Sequence, residues 1–357
     1  MIFPFGGCII AVQNRSSEER LMKKILFGKE KGFFKANLHC HSVISDGTKT
    51  PEELKEMYVK QGYSIIAFTD HDVLVPHNDL SDGNFLALNG YEIETNDSKH
   101  TGPYSTCKTC HLCLIALDGD NFTQVCYHRN AYLFANAPKY KDIVKYDESK
   151  PDFVRDHTPE CINEIISEAR KGGFFVTYNH PVWSVETLDD YGKYNGFNAM
   201  EICNYGCFES GYPEYNEVQY DEMLRMGKRI YCISADDNHN YRNDSFGGFT
   251  VINAPKLEYK AVTDALLNGN IYASQGPEIK EIRYEDGKIS IDCSDCQSVR
   301  INTGVRRSDI SYGTREEPLK HAEFEVKPDD VYVRLTVTDF SGKHANSRAY
   351  FIDELEK

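Results

Sequence analysis

Asn37-Leu38-His39-Cys40-His41, followed by Ser45-Asp46-Gly47 and then Thr50-Pro51-Glu52-Glu53, is the stretch that decides the fold. The first five residues read as an apolar strand that closes on two histidines. Residues i and i+2 of a strand share a face, so both imidazoles point the same way and can bind one ion. Asp46 offers a carboxylate from the loop that follows. Thr50 and Glu53 then form a capping box with Pro51 at the first helical position. Leu54, Met57 and Tyr58 supply the apolar stripe, and Gly62 ends the helix. Strand, polar loop and amphipathic helix together make one unit of an α/β protein.

Working outward, the same unit recurs. Further candidate strands lie at 65–70, 85–92, 111–117, 174–179, 199–204 and 229–235. With 37–41 they make seven, nearly continuous in hydrophobicity, as strands buried on both faces are. A second helix is predicted from Glu160 to Lys171, with Ile162, Ile165, Ile166 and Ala169 inward and Gly172-Gly173 as the stop. Tyr220, Met223 and Leu224 mark a third helix, and Val262, Ala265 and Leu266 a fourth. This alternation predicts a barrel or a wound α/β domain over 31–277. Residues 95–158 lack clear periodicity and read as insertions over its rim. After Gly276-Pro277 the period changes to two, as in Lys288-Ile289-Ser290-Ile291-Asp292 and in the run from Val331 to Val337. A small antiparallel, sandwich-like β domain is therefore placed at 278–357. Residues 1–30 read as an N-terminal extension. Met22-Lys23-Lys24-Ile25-Leu26 resembles a natural bacterial start, and Phe5-Gly6-Gly7-Cys8 lacks the basic residues that a lipoprotein signal needs.

The chain has 357 residues and a formal charge of −15. With 40% hydrophobic and 12% aromatic residues it can build a core, which excludes global disorder. The acidic balance disfavours a surface that wraps long nucleic acid or an anionic membrane. No apolar run approaches the roughly 18–20 residues of a spanning helix. Cys40, Cys203 and Cys232 sit in strand-like runs, so most of the 12 cysteines read as buried free thiols of a reducing, cytoplasmic compartment.

The chemistry gathers where strands end. Thr69-Asp70-His71-Asp72 closes the second strand and Gly90-Tyr91-Glu92 the third. Asn179-His180-Pro181 closes the fifth, and Asp237-Asn238-His239 the seventh. Imidazoles and carboxylates at the carboxyl ends of successive barrel strands are what a metal site on this architecture requires. In this order and spacing the motifs resemble those of the PHP family, named for polymerase and histidinol phosphatase domains, over residues 36 to about 276. The resemblance implies a distorted (β/α)7 barrel of TIM-like form that holds two or three divalent metals and hydrolyses phosphate esters. It further implies that His39, His41, Glu92 and Asp237 bind a first metal. Glu92 would bridge to a second held by His111 and His180, and Asp46, His71 and His239 would bind a third. His111 begins its strand instead of ending it, so either that strand runs antiparallel or another residue fills the role. Imidazole and carboxylate without thiolate suit Zn, Mn or Fe. Such ions would acidify a bridging water to a pKa of about 7 for in-line attack on phosphorus.

Around these ligands, Asp72, Glu94, Asp236 and Glu201 are expected to orient imidazole N–H groups. Arg242, Arg129 and Arg170 are candidate phosphate partners. Cys107-Lys108-Thr109-Cys110-His111 also matches a haem-attachment spacing, and Cys107, Cys110 and Cys113 a zinc spacing, both less favoured. Trp183, Tyr104, Tyr127, Tyr132 and Tyr140 either shape a lid or simply pack. The leading function is a metal-dependent phosphoesterase acting on a small phosphorylated metabolite, a nucleotide or a short oligonucleotide. The alternatives are a metal-dependent hydrolase of carboxylic esters, amides or sugar derivatives, and a binding module with a residual site. The β domain would cap the barrel or bind a partner.

Overall fold

The computed structural model of the chain describes residues 23–28 and 31–356. The expectations for the first 21 residues and for Met22 lie outside the described residues. The first element, β1 (Lys23–Phe27), pairs antiparallel with a strand of the far C-terminal region. The α/β part then follows as β2 (Gly32–Asn37), α1 (Pro51–Lys60), β3 (Ile65–Phe68), β4 (Leu86–Asn96) and β5 (Thr109–Ala116). A two-residue parallel pair, β6 (Thr123–Gln124) and β7 (Lys145–Tyr146), interrupts the irregular stretch before α2 (Pro159–Lys171) and β8 (Phe174–Tyr178). Next come the short α3 (Leu188–Tyr191), β9 (Ala199–Asn204), α4 (Tyr205–Glu209), α5 (Glu217–Arg225) and β10 (Tyr231–Ala235). β11 (Phe249–Ala254), α6 (Tyr259–Leu267) and β12 (Ile271–Ser274) complete it.

The local reasons for these elements hold. At α1, Thr50 Oγ1 accepts from Glu53 N at 3.2 Å while Glu53 accepts from Thr50 N at 2.9 Å, with Pro51 opening the helix. The third helix begins at Glu217 and the fourth at Tyr259, each burying the apolar stripe read from the sequence. Within the large sheet the strand order β10-β9-β8-β5-β4-β3-β2-β11-β12 holds seven strands at or beside the expected ones. Six overlap the expected ranges, whereas the strand expected at 37–41 is displaced to Gly32–Asn37, with only an isolated bridge at Cys40 beyond it. Six of the seven run parallel. β5 is antiparallel to both β4 and β8, which explains why His111 lies near the start of its strand. β5 is a fully buried central strand, so the stretch 95–158 is not insertion throughout. The antiparallel β11 and β12, next to β2, were not anticipated.

β2 leaves the ladder at Asn37, and the chain from Leu38 to His41 continues toward the end of β10. There Asp237 N donates to His39 O at 3.0 Å and His41 N to Asn238 O at 3.1 Å, flanking a parallel bridge between Cys40 and Asn238. Beneath these contacts Ala36, Leu38, Ile65, Leu88, Ile115, Phe175 and Ile233 share one core with Val262 and Leu266 of α6.

Beyond Gly276 the strands are antiparallel: β13 (Ile279–Glu285), β14 (Lys288–Cys296), β15 (Ser298–Thr303), β16 (Ser308–Tyr312) and β17 (Leu319–Glu325). β18 (Tyr332–Thr338), β19 (His344–Ser347) and β20 (Tyr350–Phe351) lead into the short α7 (Ile352–Leu355). One sheet is β1-β13-β14-β17, and the other strands extend the large sheet through the β12–β19 pair. Ile289, Ile291 and Phe324 face Val299, Leu335 and Val337 in one core that also reaches Leu54 and Tyr58 of α1. The tail is fastened to α5 by Arg334, fully buried, whose Nε lies 2.7 Å from Asp221 Oδ1.

Candidate metal centre

Seven strands deliver their ends to one face, and the nine expected ligands meet there. Glu92 is at the middle: its carboxylate oxygens lie 3.1 Å from His39 Nε2, 3.4 Å from His41 Nε2 and 3.3 Å from His71 Nδ1. His111 Nδ1 at 3.1 Å and His180 Nε2 at 3.5 Å complete its surroundings. Asp237 Oδ1 lies 3.2 Å from His39 Nε2 and 3.1 Å from His41 Nε2. Asp46 Oδ2 lies 3.2 Å from His239 Nε2 and its Oδ1 3.9 Å from His71 Nε2. The ligand-type atoms fall into four overlapping groups: His39-His180-Asp237, His39-His41-Glu92, His71-Glu92-His111 and His41-Asp46-His71-His239. The third group joins His71 to Glu92 and His111, where the sequence reading kept it with Asp46 and His239 alone.

Several of the ligands are braced from behind. His39 Nδ1 donates to Glu201 Oε1 at 2.8 Å, which leaves its Nε2 lone pair turned toward Glu92 and Asp237. The other oxygen of Glu201 accepts from His180 N at 3.0 Å and Asn204 Nδ2 at 2.9 Å. Asn179 Nδ2 donates to Glu92 Oε1 at 3.0 Å, and Asn204 Nδ2 to Asp237 Oδ2 at 3.0 Å. The loop that carries Asp46 is organised by Asp70, which accepts from Ser42 N, Ser42 Oγ, Ser45 N and Ser45 Oγ at 2.8–3.1 Å. Gly47 is required in that loop because a Cβ there would lie 2.6 Å from His41 O. His180 and Asp237 themselves adopt positive φ, of 24° and 51°, as does Asp72 at 62°. Side chains other than glycine rarely sit there, and such strain collects at functional sites.

Of the four carboxylates expected to orient imidazoles, only Glu201 does so directly. Glu94 Oε1 stands 3.8 Å from His111 Nε2 and accepts from Tyr104 OH at 2.8 Å. Asp236 accepts instead from Phe246 N, Gly247 N and Gly248 N at 2.8–3.0 Å and so anchors the loop after β10. Asp72 pairs with Arg155.

The electrostatics are those of buried anions and imidazoles packed against one another. Burial opposes protonation of His41, but Asp237, Glu92 and Asp46 outweigh it and raise its pKa to about 10. Burial and the neighbouring His41 charge lower His71 to about 4. Burial works against the Asp237 carboxylate, yet His39, His41 and His239 hold it well below the usual range. Burial pushes Asp72 up to about 6 even with Arg155 beside it.

A cation fits this donor set. His71 Nδ1, both ring nitrogens of His111 and Asp237 Oδ1 are buried and have no hydrogen-bond partner, although ligand-type atoms surround them. Buried polar atoms of native proteins are nearly always satisfied. Nitrogen and oxygen donors at these positions would be satisfied together by divalent ions.

The centre opens into a cleft of about 970 Å³. Arg242 lines it, with Nη1 donating to Ser210 Oγ at 3.2 Å. Arg129 and Arg170 do not line it. Arg129 serves carbonyls of Glu148 and Lys150 and the Asp152 carboxylate, and Arg170 donates to Gly196 O at 2.6 Å. The arginine that sequence reasoning missed is Arg155, which lines the cleft, pairs with Asp72 and donates to Glu94 O at 3.2 Å. Its buried Nε has no partner. Nothing in the aperiodic run around it marks this role. Cys110 and Cys113 fall on opposite faces of β5: Cys110 joins the outer core, whereas Cys113 Sγ accepts from Asn179 Nδ2 at 3.1 Å. They cannot share one ion, so the zinc reading fails on strand geometry. The haem spacing fails too, because Cys110 and His111 are adjacent on β5 and point to opposite faces, Cys110 into the outer core and His111 toward Glu92. The described cysteines are free thiols. Trp183 packs edge-on against His111 and His180, with centroids 5.2 and 5.0 Å away. Of the tyrosines, Tyr104 and Tyr132 line the cleft, while Tyr127 and Tyr140 pack in a small core beside it. No tail residue lines the cleft among those described. No helix among the described residues is long and apolar enough to cross a membrane.

A cluster of imidazoles and carboxylates at strand ends, braced by buried carboxylates, defines a candidate metal centre on an α/β fold with a C-terminal β-rich region. The family model described as the PHP domain matches residues 37–225, more than half of the chain, and the chain belongs to that family. A 5'-3' exoribonuclease of Haemophilus influenzae is 35% identical over 66 residues, 17% of this chain and 24% of that protein. This chain thus spans about a quarter of the length of that relative. Among solved structures, a two-domain protein of Bacteroides vulgatus described as containing a predicted PHP-like metal-dependent phosphoesterase superposes with a TM-score of 0.44 at 16% identity, over 92% of this chain and 97% of that one. An amidohydrolase of Chromobacterium violaceum gives 0.36 at 16% identity, over 58% and 89%.

Proposed function

We propose that this protein is a metal-dependent phosphoesterase that hydrolyses phosphate monoesters of a small metabolite, a nucleotide or a short oligonucleotide. The observation that carries the reading is the convergence of nine imidazole and carboxylate groups, Glu92 among them at the middle, with buried polar atoms left without partners. Two or three divalent ions, Zn, Mn or Fe by their fit to nitrogen and oxygen donors, would be held by the four groups that share His39, His41, His71 and Glu92. When bound, divalent ions supply Lewis acidity toward phosphate oxygens and lower the pKa of a water.

The protein's own side chains then have defined tasks. Glu201 holds the proton of His39 on Nδ1 and keeps Nε2 free as a ligand atom. Arg155 and Arg242 offer guanidinium N–H groups to anionic oxygens in the cleft. The acidic body, at −15, favours a small phosphorylated substrate over a long polynucleotide. In this reading the seven strands form a distorted (β/α)7 barrel, closed beside the Cys40–Asn238 bridge. The catalytic unit spans 31–277, and the β unit of 278–357 buttresses its flank.

The test is metal analysis of the purified protein together with paired substrates. Hydrolysis of p-nitrophenyl phosphate or of nucleotides, lost with one metal equivalent in His180→Ala, is the expected result. Hydrolysis of p-nitrophenyl acetate alone would transfer the site to acyl chemistry and reject the reading.

A further inference from the structure

Aromatic side chains rim the cleft, and the metal-ligand reading leaves most of them without a task. Two of them, Phe134 and Tyr241, come from separate segments yet flank the same corner of the centre, the one built by Asp46, His71 and His239. Phe134 stands edge-to-face on His71 with centroids 5.5 Å apart. Tyr241 lies nearly parallel to His239, at 19° and 6.3 Å. Both are tied to the loop that carries Asp46. Asn136 N donates to Ser45 O at 3.0 Å and Asn136 Nδ2 to Val43 O at 3.1 Å, which pins the Phe134 segment. The Tyr241 hydroxyl donates to Asp46 O, and Thr48 N donates to His239 O at 2.9 Å.

Their exposure is what calls for an occupant. Leu133 and Ala137 pack with Ile44, Val73 and Val144 in a small core that secures the segment. Phe134, between them in sequence, is excluded from that core and is 50% exposed, and Tyr241 is 66% exposed. Of the other rim aromatics, Tyr212 is 42% exposed but makes no ring contact with this corner among the described residues, and the remaining three have partners. Tyr104 donates to Glu94, Tyr132 lies under the Arg155 guanidinium at 4.8 Å, and Trp183 packs on two imidazoles. Two ring faces held in place at a ligand cleft and left to water are suited to a planar guest, because stacking removes apolar area on both sides.

We propose that Phe134 and Tyr241 form a stacking subsite for a planar unsaturated ring in the leaving group. The preferred substrate is then a ring-bearing phosphate ester of nucleotide type, not the phosphate of an aliphatic polyol. The proposal rests on the phosphoesterase reading for the place of the phosphate, whereas ring recognition itself needs no metal. Stacking selects ring over no ring and discriminates little among bases, since every base has a π face.

The experiment is calorimetric binding of non-hydrolysable phosphonate analogues of AMP, phenyl phosphate and ribose 5-phosphate to metal-loaded protein, with adenosine and ribose as uncharged counterparts. Wild type is expected to bind the two ring-bearing analogues at least about tenfold more tightly than the ribose analogue. That ratio should fall about five- to thirtyfold in Phe134→Leu and in Tyr241→Leu, and survive in Tyr241→Phe, which keeps the ring. Tightening with AMP alone would narrow the guest to a nucleobase. A wild-type ratio near one, or a ratio unmoved by both leucine variants, overturns the proposal. Because the wild-type ratio is decisive, a variant that misfolds or loses metal does not protect it. Hydrolysis of AMP and ribose 5-phosphate with equal efficiency and equal affinity would reject the subsite and leave the phosphoesterase standing. Absence of all phosphate-ester hydrolysis, with adenosine still bound more tightly than ribose, would reject the phosphoesterase and leave the subsite.

Discussion

Glu201→Gln changes one atom and should cost the centre much of its metal affinity. Glu201 accepts three hydrogen bonds: from His39 Nδ1 at 2.8 Å on one oxygen, and from His180 N and Asn204 Nδ2 at 3.0 and 2.9 Å on the other. A glutamine has only one acceptor end. If its oxygen keeps His180 N and Asn204, its NH2 meets His39, which must then accept on Nδ1 and carry its proton on Nε2. That atom lies 3.1 Å from Glu92 Oε1 and 3.2 Å from Asp237 Oδ1, where a ligand lone pair is needed. The reverse rotamer sets its NH2 against the His180 N–H and leaves both without a partner. Either arrangement disables one ligand or unseats another. Loss of such a supporting group typically costs 10–100-fold in metal affinity, about 1.4–2.7 kcal/mol. The assay is competition with a chelator of known affinity, monitored by metal content, in wild type, Glu201→Gln and Glu214→Gln. Glu214 accepts from Trp183 N at 2.9 Å and bonds no imidazole, so its variant should stay within about threefold. Metal affinity within about threefold of wild type in Glu201→Gln would refute the reasoning.

Metal removal by dialysis against chelator should abolish hydrolysis and lower Tm. Readdition at 100-fold over Kd should restore about 2.7 kcal/mol of stability, and a Tm indifferent to metal would contradict the fit of the centre. Arg334→Met leaves Asp221 buried without the guanidinium at 2.7 Å, and should cost about 3–5 kcal/mol in denaturant unfolding. Arg334→Met combined with Asp221→Leu should recover most of that loss. Burial opposes protonation of His157, but the hydrogen bond at 2.9 Å to Glu186 and that residue's charge raise its pKa above 6.5. Its stabilising contribution is therefore full below pH 6.5 and fades as pH rises through the folded value. The Tm gap between wild type and His157→Gln should narrow from pH 6 to pH 9, and a gap that widens would reverse the sign.

The elements that were legible share a local cause. His39 and His41 announced one face because strand period is two, and Thr50 with Glu53 announced a helix because the capping box is closed within four residues. The direction of β5 was undecided from sequence, since alternation is the same for parallel and antiparallel strands. It became visible only in the register of Glu94 with His111 and of Leu112 with Tyr178. Arg129 and Arg170 were plausible by residue type alone, and tertiary structure turned both to backbone carbonyls elsewhere. Arg155 and Phe134 sit in irregular chain, where no period reports which way a side chain faces.

Sequence by itself determined that this chain is an α/β protein with imidazoles and carboxylates at its strand ends, because periodicity, caps and motif order are properties of neighbouring residues. Tertiary structure alone decided which of those groups share an ion-sized space and which buried carboxylate braces which imidazole. It also decided which arginine and which aromatic rings reach the cleft. Those outcomes depend on contacts across long separations, such as His39 with Glu201 and Asp72 with Arg155, and they arise only when the sheet is assembled.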